Sequence, residues 1–132
     1  TYEIFRARGP MVHEYVHLVV DYRTRGNYTR WFTEGIAQFV EREITGFQFQ
    51  GSYNSNVWYS IKDMDLSFDQ LPNQSMAYRQ SLLMVELLVD EFGYEGINNI
   101  MDYLSEGKTL NQSFQEVLGI TMDEFEEKCR KL

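Results

Sequence analysis

One cysteine, two histidines and an excess of acid over base narrow the field before any motif is read. Cys129 stands alone, so the chain closes no disulfide within itself and has no cysteine-based metal site open to it. Lysine and arginine number 12 against 20 aspartates and glutamates, a net charge of −8. Nucleic acid and anionic membrane surfaces are therefore poor partners. No apolar run reaches the roughly 20 residues that a spanning helix needs, and no leader pattern is visible. Disorder is excluded as well. Hydrophobic residues make up 43% of the 132 and aromatics 15%, enough for a real core. The chain opens on Thr1 in mid-pattern, which reads as a single domain taken from a longer protein.

Both histidines fall within one pentapeptide, His13-Glu14-Tyr15-Val16-His17. Residues four apart on a helix lie on one face, one above the other, so two imidazoles at this spacing can address a single metal ion. Glu14 follows about 100° further round the helix, placed to reach a water beside the metal rather than the metal itself. The pattern reads as two zinc ligands, His13 and His17, with Glu14 as general base. A catalytic zinc site takes a third protein ligand and keeps one position open. A third histidine six residues after the second, with glycine three residues after it, is excluded, because those positions hold Arg23 and Val20.

A carboxylate from a second helix remains. Trp31-Phe32-Thr33-Glu34-Gly35-Ile36-Ala37 supplies Glu34, and the turn-like stretch Arg23–Asn27 lets the segment from about Thr29 fold back on the first helix. Gly35 and Ala37 are small enough for close helix approach. Glu34, Ala37, Gln38 and Glu41 share one face at helical spacing. Asp21 lies four residues beyond His17 on the histidine face. It is the first choice for the carboxylate that holds a ligand histidine's second ring nitrogen, with Glu41 the second choice.

These two stretches together, with Phe39 and Glu41 completing the second, resemble the gluzincin metallopeptidases. They are closest to the peptidase MA-like domains and the aminopeptidase N-type catalytic core. The resemblance implies a mainly α, zincin-like helical core, zinc held by His13, His17 and Glu34, and a peptide or protein substrate. It also implies a sheet upstream of the zinc helix, most of which the chain lacks. Sixteen residues separate His17 from Glu34, two fewer than the eighteen usual in the aminopeptidase N-type enzymes, which favours the shorter relatives. Ala77-Tyr78-Arg79-Gln80-Ser81-Leu82 is similar to the family's tyrosine-bearing helix, which implies that Tyr78 steadies the oxyanion of the tetrahedral intermediate. The amine-capturing Gly-Ala-Met-Glu-Asn segment of the aminopeptidases does not occur here, which tilts the reading toward an endopeptidase. A non-catalytic zinc-binding scaffold is the alternative.

The remaining elements follow from periodicity and punctuation. Tyr2–Arg8 alternates weakly and reads as a short strand or linker. Gly9 and Pro10 suit the start of a helix to Tyr22, and Met11, Val12, Tyr15, Val16, Leu18 and Val19 make that helix largely buried. Residues 45–74 read as an irregular, aromatic-rich stretch with a short helix near Val57–Asp63. Ser75–Phe92 reads as a helix stopped by Gly93, and Gly96–Leu104 as another. Thr109 caps a segment to Leu118, and Thr121-Met122-Asp123-Glu124 is a capping box for the last helix.

Overall fold

A computed structural model describes residues 2–46 and 58–131, with side chains from Met11 onward. Helices dominate it: α1 (Tyr2–Thr24), α2 (Arg30–Thr45), α3 (Ile61–Leu66), α4 (Gln74–Ser105), α5 (Leu110–Leu118) and α6 (Met122–Arg130), with a 3-10 turn at Phe68–Gln70. No strand occurs among the described residues. The fold is mainly α, as the sequence indicates.

Two expectations for the first helix are corrected. Tyr2–Arg8 is helical rather than strand or linker, and α1 runs through Gly9 and Pro10 instead of starting there. A lone strand gains nothing without a neighbour to pair with, and none is at hand among the described residues. The face of α1 also differs from the expectation. Val16 and Val20 are buried, but Met11, Tyr15 and Leu18 are exposed, as is Tyr22. These four follow one another at steps of four, three and four residues, so they form a single stripe on one side of the helix. The side that α2 covers carries the two histidines.

Helix α2 lies between α1 and α4. Arg25 (φ 56°) and Gly26 (φ 77°) turn the chain out of α1 through the left-handed region, and the Gly26 N–H donates to the Asp21 carbonyl. Asn27 then donates to the carbonyls of Leu104 and Lys108, both at 2.8 Å, which ties this turn to the far end of α4. Thr29 precedes α2 in extended conformation, and Gly46 closes it in the left-handed region (φ 78°).

The core side of α2 is fixed by Trp31 and Phe32, both fully buried. Trp31 stacks on Phe125 of α6, and Phe125 meets Phe114 of α5 edge to face. The Trp31 indole N–H donates to Asp65 of α3 at 2.6 Å, so burial of this large ring leaves no polar atom stranded. With Trp31 turned into the core, Glu34 three residues on is carried toward α1. Gly35 faces α4 at close range. A Cβ there would lie 2.4 Å from the Ser81 carbonyl oxygen and 2.5 Å from Val85 Cγ2. Only glycine allows the two helices to cross this closely.

The later elements match the sequence signals with small shifts. The short helix expected near Val57–Asp63 runs Ile61–Leu66, because Ser60 accepts from the Asp63 N–H and sets its start; Val57 lies outside the described residues. Gly93 (φ 70°, ψ 178°) breaks the helical geometry where a stop is expected, yet helix resumes at once, so the two expected segments form one kinked α4. Both capping boxes are formed, at Thr109 with Gln112 and at Thr121 with Glu124. An apolar groove opens between α1, α2 and α4, walled by Val12, Val16, Ile36, Phe39 and Ile97. His13, Glu14, His17 and Glu34 lie outside it. No described helix is long and apolar enough to cross a membrane.

Candidate metal centre

Helix spacing brings His13 and His17 into edge-to-face contact, with ring centroids 4.7 Å apart. Glu34 of α2 faces both. Its Oε2 lies 3.2 Å from His13 Nε2 and its Oε1 lies 3.4 Å from His17 Nε2. One ligand-type atom from each of the three residues falls within 4.8 Å of the others. Glu34 is buried, with a side chain 4% exposed, whereas the two histidines retain 25% and 22%. The cluster is closed on the α2 side and open on the α1 side.

The second ring nitrogens are engaged. His13 Nδ1 meets Glu41 Oε2 at 2.8 Å and His17 Nδ1 meets Thr33 Oγ1 at 2.8 Å. A carboxylate accepts hydrogen bonds and donates none, so His13 carries its proton on Nδ1 toward Glu41. Nε2 then also faces a carboxylate, that of Glu34. A neutral imidazole has one N–H and satisfies one of these acceptors. The gap between Nε2 and Glu34 therefore calls for a cation, either a second proton or a metal ion. The hydrogen bond to Glu34 outweighs burial and, with Glu41, raises the His13 pKa above its ordinary value. Burial by itself would raise the Glu34 pKa, but hydrogen bonds from His13 and His17, and the nearby Arg30, hold it far below the usual carboxylate range.

This donor set fits a metal ion. Two imidazole nitrogens and one carboxylate converge, their orientation is held from behind by Glu41 and Thr33, and the position between them favours positive charge.

The structure separates the two acids proposed from sequence as partners of His13 and His17. Glu41 touches His13. Asp21 holds neither histidine's second ring nitrogen, which Glu41 and Thr33 engage instead. Asp21 is exposed and its side chain acts on Tyr28 instead, raising the pKa of that phenol after burial. The packing of α2 on α1 brings Thr33 to His17 and leaves Asp21 exposed.

Glu14 is exposed on α1, next to both histidines in the chain. Tyr78, half-buried on α4, packs edge to face on Phe68 with centroids 5.5 Å apart. Its phenol pKa is raised by burial first and then by the Glu34 charge, with Arg30 opposing, which places it electrostatically alongside the cluster. It is a hydrogen-bond donor at neutral pH. Sequence reasoning missed Thr33 and Arg30. Thr33 directly precedes Glu34, and Arg30 lies one helical turn before it, donating to Glu34 Oε1 at 2.5 Å. The i to i+4 spacing of Arg30 and Glu34 was the available signal.

A family model described as the Peptidase MA superfamily matches residues 2–132. The chain belongs to that superfamily. No curated protein and no solved structure gives a match. This is a peptidase-like domain of a family that is typically metal-dependent, and among the described residues His13, His17 and Glu34 form a group that could bind a metal.

Proposed function

We propose that this superfamily member is a zinc-dependent peptidase, with His13, His17 and Glu34 holding the ion. The observation that carries the reading is the placement of His13, whose two nitrogens face the carboxylates of Glu41 and Glu34. Two imidazoles and one carboxylate, with an open side, make the donor set of catalytic zinc, where three protein ligands leave one position free. When bound, the ion supplies a water of lowered pKa and polarises the carbonyl of the scissile bond.

The chain's own residues do the rest. Glu14, on the solvent side of α1, takes the proton of the attacking water and delivers it to the leaving amine. Tyr78 donates its phenol hydrogen to the negative charge that develops on the carbonyl oxygen. Glu41 and Thr33 fix the ring orientations of His13 and His17. Glu34 and Gln38 share a face of α2, and Gln38 donates to the Tyr78 carbonyl at 2.8 Å, which links the ligand helix to the helix bearing the phenol. A peptide or protein is the substrate.

The deciding experiment measures zinc per chain after dialysis for wild type, Glu34→Ala and Glu14→Gln, together with cleavage of a quenched peptide library. The expected result is about one zinc in wild type, marked loss in Glu34→Ala, and full zinc without cleavage in Glu14→Gln. Zinc bound by wild type without any cleavage would favour the scaffold alternative. Zinc kept in full by Glu34→Ala would refute Glu34 as the third ligand.

A further inference from the structure

Arg30 is the one cation of α2 that contacts the Glu34 carboxylate. Its Nη1 donates to Glu34 Oε1 at 2.5 Å, the same oxygen that lies 3.4 Å from His17 Nε2. Its Nε lies 3.5 Å from Asp69 Oδ1, and its guanidinium sits over the Phe68 ring at 5.7 Å. Arg30 therefore stands between two carboxylates of opposite setting. Glu34 is 4% exposed and Asp69 65%.

An ordinary i to i+4 ion pair on a helix surface does little for stability. This one differs because its acid is buried and is also the third member of the metal-type cluster. A metal ion bound through Glu34 draws on the same carboxylate electrons as Arg30 and repels its charge at short range. Arg30 thus favours the metal-free centre more than the loaded one. A second carboxylate, that of Asp69, already lies within ion-pair reach of Arg30, and the Tyr78 phenol is a further hydrogen-bonding neighbour.

We propose that Arg30 is a resident counter-ion of the third metal ligand, handed from Glu34 to Asp69 as the metal enters, and that this exchange sets how tightly the centre holds its metal. The inference rests on the metal-centre reading given above. In the metal-free protein Arg30 pairs with the buried Glu34 and holds it in place. In the loaded protein Asp69 receives the displaced guanidinium, which lowers the cost of the exchange. Asp69 is a positioning residue here, acting on the metal only through Arg30.

The test is a zinc titration of the metal-free protein against a chromophoric chelator, for wild type, Arg30→Met, Asp69→Asn and the double variant, each checked for helical content by circular dichroism. Arg30→Met is expected to bind zinc on the order of tenfold more tightly, the effect of removing one nearby positive charge. Asp69→Asn is expected to bind it a few-fold more weakly, and to have no effect in the Arg30→Met background, since coupling of this kind appears as non-additivity. Unchanged or weaker binding by Arg30→Met overturns the proposal, as does an Asp69→Asn effect of equal size in both backgrounds. If Arg30→Met does not fold, Asp69→Asn alone decides, because Asp69 is exposed, and unaltered affinity in that variant refutes the exchange. Failure of wild type to bind zinc overturns the metal centre itself, and this inference with it.

Discussion

Glu41 Oε2 lies 2.8 Å from His13 Nδ1, across 28 residues of sequence and from one helix to the next. Because the carboxylate only accepts, it settles which nitrogen of His13 carries the permanent proton and leaves Nε2 turned toward Glu34. A histidine held this way has its ring plane and its tautomer fixed before any ion arrives. Glu41 is buried, so the contact forms away from competing water.

Removing this contact is expected to weaken metal binding. Glu41→Gln can turn its amide N–H toward His13 and no longer enforces the tautomer, and Glu41→Ala leaves Nδ1 with no partner from that side. A loss of about 10- to 100-fold in zinc affinity is expected for Glu41→Ala, typical of such supporting carboxylates. Asp21→Asn, at an exposed position away from the nitrogen that Thr33 holds, leaves zinc affinity unaltered. Chelator competition on the two variants measures both. Equal losses would show that the two acids had been told apart wrongly.

The same bracket makes the metal-free protein sensitive to pH near neutrality. The folded pKa of His13 is raised above 6.5, chiefly by the hydrogen bond to Glu34. A raised folded value means that protonated His13 contributes stability fully below the unfolded pKa of about 6.5 and loses it as pH climbs through the folded value. The melting temperature of chelator-treated protein is therefore expected to fall as pH rises from about 6.5. His13→Gln removes most of that slope. Glu34 acts in a different window. Its lowered pKa gives stability present above about 4.5 and lost as pH falls through the depressed folded value, so acid melts the domain for a separate reason. A melting temperature in wild type that does not move above pH 6.5 would count against a second proton on His13.

Much of this centre was legible because it depends on short-range periodicity. The i to i+4 spacing of His13 and His17 and the single turn at Arg23–Asn27 were enough to bring Glu34 opposite them. What sequence left open was rotation between helices. Asp21 and Glu41 both stand at helical spacing from a cluster residue, and only the crossing of α2 over α1 decides which reaches a ring. The same holds for α1 itself. Its apolar residues occupy too much of the circumference to be buried by one neighbour, and Met11, Tyr15 and Leu18 fall on the side that α2 and α4 leave uncovered. Helix ends were legible where a side chain caps them, as at Thr109 and Thr121. They were not at Pro10, where no cap stands in the way of the preceding turns.

The crossing of α2 and α4 yields a further expectation. In Gly35→Ala the new methyl group meets the Ser81 carbonyl oxygen, a backbone atom that cannot swing aside as a side-chain tip would. The helices must part, which opens the packing around the fully buried Ala37 and Ser81. Overpacking of this kind costs about 1–3 kcal/mol, a fall of several degrees or more in melting temperature for a chain of this size. Thermal unfolding followed by circular dichroism reads it directly. Because Glu34 neighbours residue 35 and Tyr78 lies one turn before Ser81, the same substitution also shifts the phenol relative to the carboxylate. A melting temperature equal to wild type would mean that the two helices are not in contact at Gly35.

Cys129 offers a check on the packing of α6. It is 1% exposed on α6 and has no partner for a disulfide. Burial, then the charges of Glu126 and Glu91, push its thiol pKa up to about 12. The thiolate is the reactive form, and at pH 8 almost none is present in the folded state. A thiol reagent is therefore expected to label the native protein far more slowly than the protein in denaturant, where the ordinary pKa of about 8.5 and full access return. The rate in native buffer then reports opening of α6 from Trp31 and Phe114 rather than chemistry at the sulfur. Rapid labelling of folded protein at the denatured rate would place α6 away from the core and remove the support behind Trp31, and through it the placement of Glu34.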